Sequence, residues 1–181
     1  MLTRLVFVNV GVFTLLMTLR LLQKLKTIGP EADLGAFGLA TTWKGELLIM
    51  RPWSVLTHMF VHVDVWHLVM NMLWLYWMGR LYMGQFGARR LLSTYFVGGL
   101  AGFGVYVLAS NVFPGLQQGT FAYGASAAVM AIMTATATAQ PNYVVRLFIL
   151  GSIPLKYVAI GWVLLDYFAL LIPKDFEPFG N

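Results

Sequence analysis

All three histidines of the sequence, His58, His62 and His67, fall within ten residues, and Asn71 follows His67 by four. Four residues is about one helical turn, so His67 and Asn71 share a helix face. An imidazole and a carboxamide aimed at one point are suitable hydrogen-bond donors for a developing oxyanion. Further on, Gly124-Ala125-Ser126-Ala127-Ala128 sets one hydroxyl among small residues, which leaves room for a peptide backbone to approach. Each feature also has a plainer reading. A polar pair on a membrane helix can be hydrogen-bonding glue to a neighbour, and a serine among small residues can return its hydroxyl to an earlier carbonyl. A metal site built on His58 and His62 would need further ligands, and the sequence has no Cys and no H-E-x-x-H.

The elements that must carry these residues are set by composition. Of 181 residues, 59% are apolar and 10% charged, with a mean hydropathy of +0.74. A soluble domain has about 25% charged residues, so the chain reads as an integral membrane protein. Twelve Lys and Arg against seven Asp and Glu give a net charge of +5. They are spread thinly rather than gathered in a basic face, which argues against nucleic acid. Without Cys there is no disulfide framework, thiolate site or thiol nucleophile.

Spans need roughly 20 mostly apolar residues. The expected fold is an all-α, polytopic helical bundle forming a single domain over 1–181, with spans at about 5–22, 65–83, 91–112, 123–139 and 157–172. The first is longer than the ~7–15-residue core of a signal peptide and has no A-x-A site after it, so it reads as retained. Residues 23–50, with Gly29-Pro30, Glu31, Asp33 and Trp43, are too polar to cross. Trp66, Trp74 and Trp77 suit aromatic anchors, and Gly98, Gly99, Gly102 and Gly104 suit a close-packing face. The fourth span, about 17 residues or ~25 Å, is short for a ~30 Å hydrocarbon core. One of its ends, near Ser126, is therefore expected inside the membrane, covered by protein or a water cavity. Lys and Arg divide evenly between the two sides and leave orientation open. Beyond Pro173 the chain reads Lys-Asp-Phe-Glu-Pro-Phe-Gly-Asn, the composition of a connector.

Thr57 through Asn71, with the order H-x4-H-x3-N, followed by Trp74 and later by Gly124-Ala125-Ser126, resembles the rhomboid family of intramembrane serine proteases. The likeness runs from about Trp53 to Asp166. It implies six core helices, an N-terminus in the cytoplasm, a long first loop in the outer leaflet, and a site open to water near the outer face. The setting it implies is a bacterial inner membrane. Matched residue by residue, Ser126 is the nucleophile, and His67 and Asn71 with the Ser126 N–H hold the oxyanion. Gly124 is the glycine two before the serine, and His62 is the histidine that orders water near the site. The substrates implied are transmembrane proteins cut in or near their spans, with the lipid bilayer as the other partner. No cofactor is needed, because hydrogen-bond donors rather than a metal hold the oxyanion.

The sequence departs from the family's pattern at several points. Ala127 stands where many members have Gly, and Trp53 is followed by Ser54 rather than Arg. Residues 80–87 hold no acid, so a salt bridge common in the family is missing. The dyad histidine of the family lies in an A-H-x-x-G setting on its sixth helix, and no fourth histidine exists here. The chain therefore reads as five of six helices, expected to hydrolyse little by itself because serine needs a base. A shortened chain also suits an insertion intermediate held by an assembly partner. Two other readings stay open. One is a non-catalytic rhomboid-like protein that binds transmembrane segments; the other is a small transporter or cofactor-binding bundle using His58, His62 and His67.

Overall fold

A leucine-rich run without proline opens the chain, and it forms the first helix, α1 (Leu2–Lys24). The computed structural model describes residues 1–27, 36–116, 121–147 and 151–171. Gly29-Pro30, Glu31, Asp33, Gln117 to Gly119 and the tail from Ile172 lie outside the described residues. The architecture is an all-α helical membrane fold carrying two small two-stranded ladders. It divides into two compact units, residues 1–133 and 134–181.

In the first unit the long connector folds into short pieces: α2 (Ala36–Leu39), β1 (Thr41–Thr42), α3 (Gly45–Met50) and α4 (Ser54–Thr57), then a 3-10 turn over His58–Phe60. Trp53 Nε1–H donates to the Gly38 carbonyl at 2.9 Å, and the Thr57 hydroxyl to the Leu39 carbonyl at 2.8 Å. These bonds fasten the connector to the segment that leads to the 3-10 turn. Next come α5 (Val65–Phe86) and α6 (Ala88–Val112), joined at Gly87, whose φ of +83° only glycine adopts freely. Tyr82 and Thr94 hydroxyls meet at 2.6 Å across the pair. α1 lies along α5, with Leu2 filling the space that Gly79 leaves open. Leu16 of α1 packs with Val61, and Arg20 reaches the Val63 carbonyl at 3.4 Å. The first helix thereby supports the segment leading into α5.

α1, at a mean hydropathy of 2.1, and α6, at 1.6, are long and apolar enough to cross a membrane. β2 (Phe121–Ala122) pairs antiparallel with β1, Thr41 opposite Ala122, and α7 (Ser126–Ala139) follows. The apolar run begins at Tyr123, but the helix begins three residues later because Gly124 has a φ of +112°. α7 packs on α6 through small residues. Gly98 faces the Ala131 methyl and Gly102 the Ala127 methyl, each pair one turn apart, so the two backbones approach closely. Gly99 instead accommodates Met59. The expectation for Gly104 is corrected: it is exposed and faces nothing within 4 Å, because it points away from the seam.

The second unit holds the end of α7, a hairpin of β3 (Val144–Leu147) and β4 (Gly151–Pro154), and α8 (Leu155–Leu171). The two strands pair with Val144 opposite Pro154 and Leu147 opposite Gly151. Residues 148–150 lie outside the described residues. Lys156 Nζ donates to Asn142 Oδ1 at 3.1 Å beside the hairpin. A cavity of about 400 Å³ opens between Thr134, Ala137 and Thr138 of α7 and Ile160 and Leu164 of α8.

Candidate active site

Asp64 begins the histidine helix. Its carboxylate accepts from the His67 N–H at 2.7 Å, a side-chain cap that ends the preceding segment and starts α5 at Val65. This cap sets the first turn of α5, the turn that carries His67. Asn71 is buried and its Nδ2–H donates to the His67 carbonyl at 2.9 Å, which aligns the two side chains along one face.

The serine comes from the other direction, at the first residue of α7. The first N–H groups of a helix have no intrahelical acceptor. Here the two amides before Ser126 are taken: Gly124 N–H donates to the His58 carbonyl at 2.9 Å, and Ala125 N–H to His62 Nε2 at 3.5 Å. The Ser126 N–H begins the run of amides that the helix itself leaves open. Among the described residues the Ser126 hydroxyl makes no hydrogen bond, and the residue is exposed.

Gly124 and His67 are in direct apposition. A Cβ on Gly124 would stand 2.7 Å from His67 Cε1 and 3.0 Å from Nε2, and its φ is +112°. Space and backbone angle both demand glycine there. The His62 and His67 rings meet edge-on with centroids 5.1 Å apart, and Tyr123 lies 6.4 Å from His67. The structure thus gathers His62, His67 and Gly124. Asn71 joins them through the His67 backbone, and Ser126 stands two residues beyond Gly124.

His62 is fully buried, and burial pushes its pKa down to about 4, with the neighbouring His67 acting in the same direction. The Phe60 carbonyl and Asp64 pull the other way. The ring is therefore neutral near pH 7, and the Nε2 that faces the Ala125 amide is its acceptor. His58 is lowered too, by burial, against the raising effect of the Ser54 and Val55 carbonyls. His58 Nδ1 lies 3.1 Å from the Ser54 carbonyl oxygen.

Ser126 lines a cavity of about 160 Å³ together with Thr41, His58, Phe103, Tyr106 and Tyr123. Thr41 and the β1–β2 ladder were not legible as site elements, since nothing local in Thr41-Thr42 points to Phe121-Ala122. Among the described residues no three His, Asp or Glu side chains gather as metal ligands. Chemically, the arrangement offers a free hydroxyl, a free backbone amide beside it, and an imidazole held against the same turn.

A comparison with curated protein sequences gives no match. The family profile described as the Rhomboid domain matches residues 49–181, which is well over half the chain and contains His58, His62, His67, Asn71, Gly124 and Ser126. The chain belongs to the rhomboid family of intramembrane proteases.

Proposed function

We propose that this protein is a serine endopeptidase that hydrolyses peptide bonds in or near transmembrane segments, with Ser126 as nucleophile. The observation that carries this reading is the fit of His67 against Gly124, two residues before the serine. Attack by the hydroxyl on a peptide carbonyl forms a tetrahedral oxyanion. The Ser126 N–H, His67 and Asn71 stabilise it, each preorganised donor being worth about 2.7–4 kcal/mol in comparable sites. His62 holds the Ala125 amide, and this fixes the direction of the next one, at Ser126.

The hydroxyl also needs a base. His67 serves the oxyanion, His62 Nε2 is occupied by Ala125, and His58 Nδ1 faces Ser54. We therefore assign the dyad histidine to a position outside these 181 residues, as in the A-H-x-x-G setting of the family. The protein sits in a bacterial inner membrane, with its N-terminus cytoplasmic and its site opening outward, and its substrates are single-span proteins.

A fluorophosphonate probe tests the reading. The whole reading frame labels and Ser126→Ala does not; equal labelling of both would remove Ser126 from the nucleophile's role. The 181-residue chain by itself labels weakly and turns over no transmembrane substrate. Labelling of that chain which His58→Ala removes would move the base to His58.

A further inference from the structure

Two polar side chains lie where an apolar membrane bundle has least reason to keep them. Asn9 of α1 and Tyr95 of α6 are both fully buried. A polar group in such a setting is costly unless it is bonded and has a task. Asn9 Nδ2 donates to the Leu5 carbonyl at 2.9 Å and to the Tyr95 hydroxyl at 3.4 Å. The Tyr95 hydroxyl in turn donates to the Met59 carbonyl at 3.0 Å. The order of donors matters. With an amide N–H directed at the phenol oxygen, the phenol proton is left to point at Met59.

Met59 is not an arbitrary target. It is fully buried, and its thioether occupies the notch left by Gly99, one turn along α6 from Tyr95. Two points on one face of α6 thus hold one residue, its side chain at Gly99 and its carbonyl at Tyr95. Tyr95 also packs on Phe60, with ring centroids 5.9 Å apart. The peptide unit just before Met59 ends in the His58 carbonyl, which receives the Gly124 N–H at 2.9 Å. Fixing Met59 at carbonyl and side chain places its amide nitrogen, and with the 3-10 bond from the Val61 N–H to the His58 carbonyl at 3.1 Å this sets the preceding peptide, and so the acceptor that aims the serine turn.

We infer that Tyr95, directed by Asn9, is a positioning residue for the turn carrying Ser126, acting through the Met59 and His58 carbonyls. The geometric part stands by itself; its catalytic consequence rests on Ser126 being the nucleophile. Ordinary interhelical glue would join helix to helix. Here the hydroxyl reaches past helix packing to a backbone carbonyl of a 3-10 turn, adjacent to the one that holds Gly124.

Amide hydrogen exchange of the 181-residue chain in detergent micelles is the test. In Tyr95→Phe the Gly124 amide exchanges at least tenfold faster, while amides inside α1 and α5 keep their protection. Asn9→Ala, which leaves the hydroxyl but removes its director, gives about threefold in the same direction. An unchanged Gly124 amide in Tyr95→Phe, or equal acceleration everywhere, overturns the inference. Should Tyr95→Phe fail to fold, Asn9→Ala decides, and no change at Gly124 there also overturns it. In the whole reading frame, Tyr95→Phe lowers the Ser126 labelling rate about tenfold. Exchange needs no hydrolysis, so a Gly124 effect together with a whole reading frame that never labels would fail the protease reading and leave this one intact.

Discussion

α7 is held on two sides by opposite means. Along the seam with α6 the contact is made by small size, Gly98 and Gly102 receiving the Ala131 and Ala127 methyls. At its N-terminal turn the contact is made by directed bonds, with Gly124 on the His58 carbonyl and Ala125 on His62. Small residues bring backbones close but leave them free to slide and rotate. Hydrogen bonds set a direction. The seam decides where the helix lies, and the turn decides where the Ser126 hydroxyl and amide point.

That division can be broken from either side. Gly124→Ala strikes the turn hardest, because a non-glycine residue at positive φ costs roughly 1–2 kcal/mol and its methyl displaces His67. Labelling of Ser126 by a fluorophosphonate in the whole reading frame should fall about 100-fold, the scale of one misplaced oxyanion donor. Gly98→Val strikes the seam, where the Ala131 methyl already fills the space. Overpacking should lower stability by about 1–3 kcal/mol in thermal unfolding, while labelling per folded molecule changes much less. If labelling fell as far as in Gly124→Ala, seam and turn would not be separable.

Asp64→Ala removes the cap of α5 and should cost about 1 kcal/mol, seen as faster amide exchange at His67 and in the first turn of α5. A pH titration sharpens the turn's side further. The unfolded His62 takes up a proton near 6.5 and the folded one near 4, so the native state binds fewer protons between those values. Stability should therefore decline as pH falls from 6.5 towards 4, and His62→Gln should flatten the decline. The smallest effect is expected at Gly104→Ala, which meets open space and gains up to about 1 kcal/mol of helix propensity.

Much of the turn is legible in the sequence. The four-residue step from His67 to Asn71 and the G-A-S at 124–126 carry their geometry in their spacing. The apolar runs marked the long helices because membrane helices must be continuous. What could not be read was long-range. Nothing near Met59 announces Tyr95, and nothing in Thr41-Thr42 announces Phe121-Ala122, since both pairings join segments tens of residues apart. The hairpin over 144–154 is different. Val144-Val145, Ile153 and the bounding Pro141-Asn142 and Gly151-Ser152 are local strand and turn signals, which the search for long apolar spans passes over. Gly104 failed for a simpler reason: a cluster of glycines does not say which of them face the neighbour.

The start of α7 at Ser126 has an electrostatic side as well. A helix of 14 residues aligns its peptide dipoles into roughly half a positive charge at its first turn. Little charge of either sign lies on α7 itself to oppose it, since the run Ser126–Ala139 has no Asp, Glu, Lys or Arg. Where water is scarce such a field is screened weakly. Any negative charge that develops beside the Ser126 amide, whether on the serine oxygen or on the carbonyl it attacks, therefore meets a favourable potential from the whole helix, and this would persist even with His67 removed.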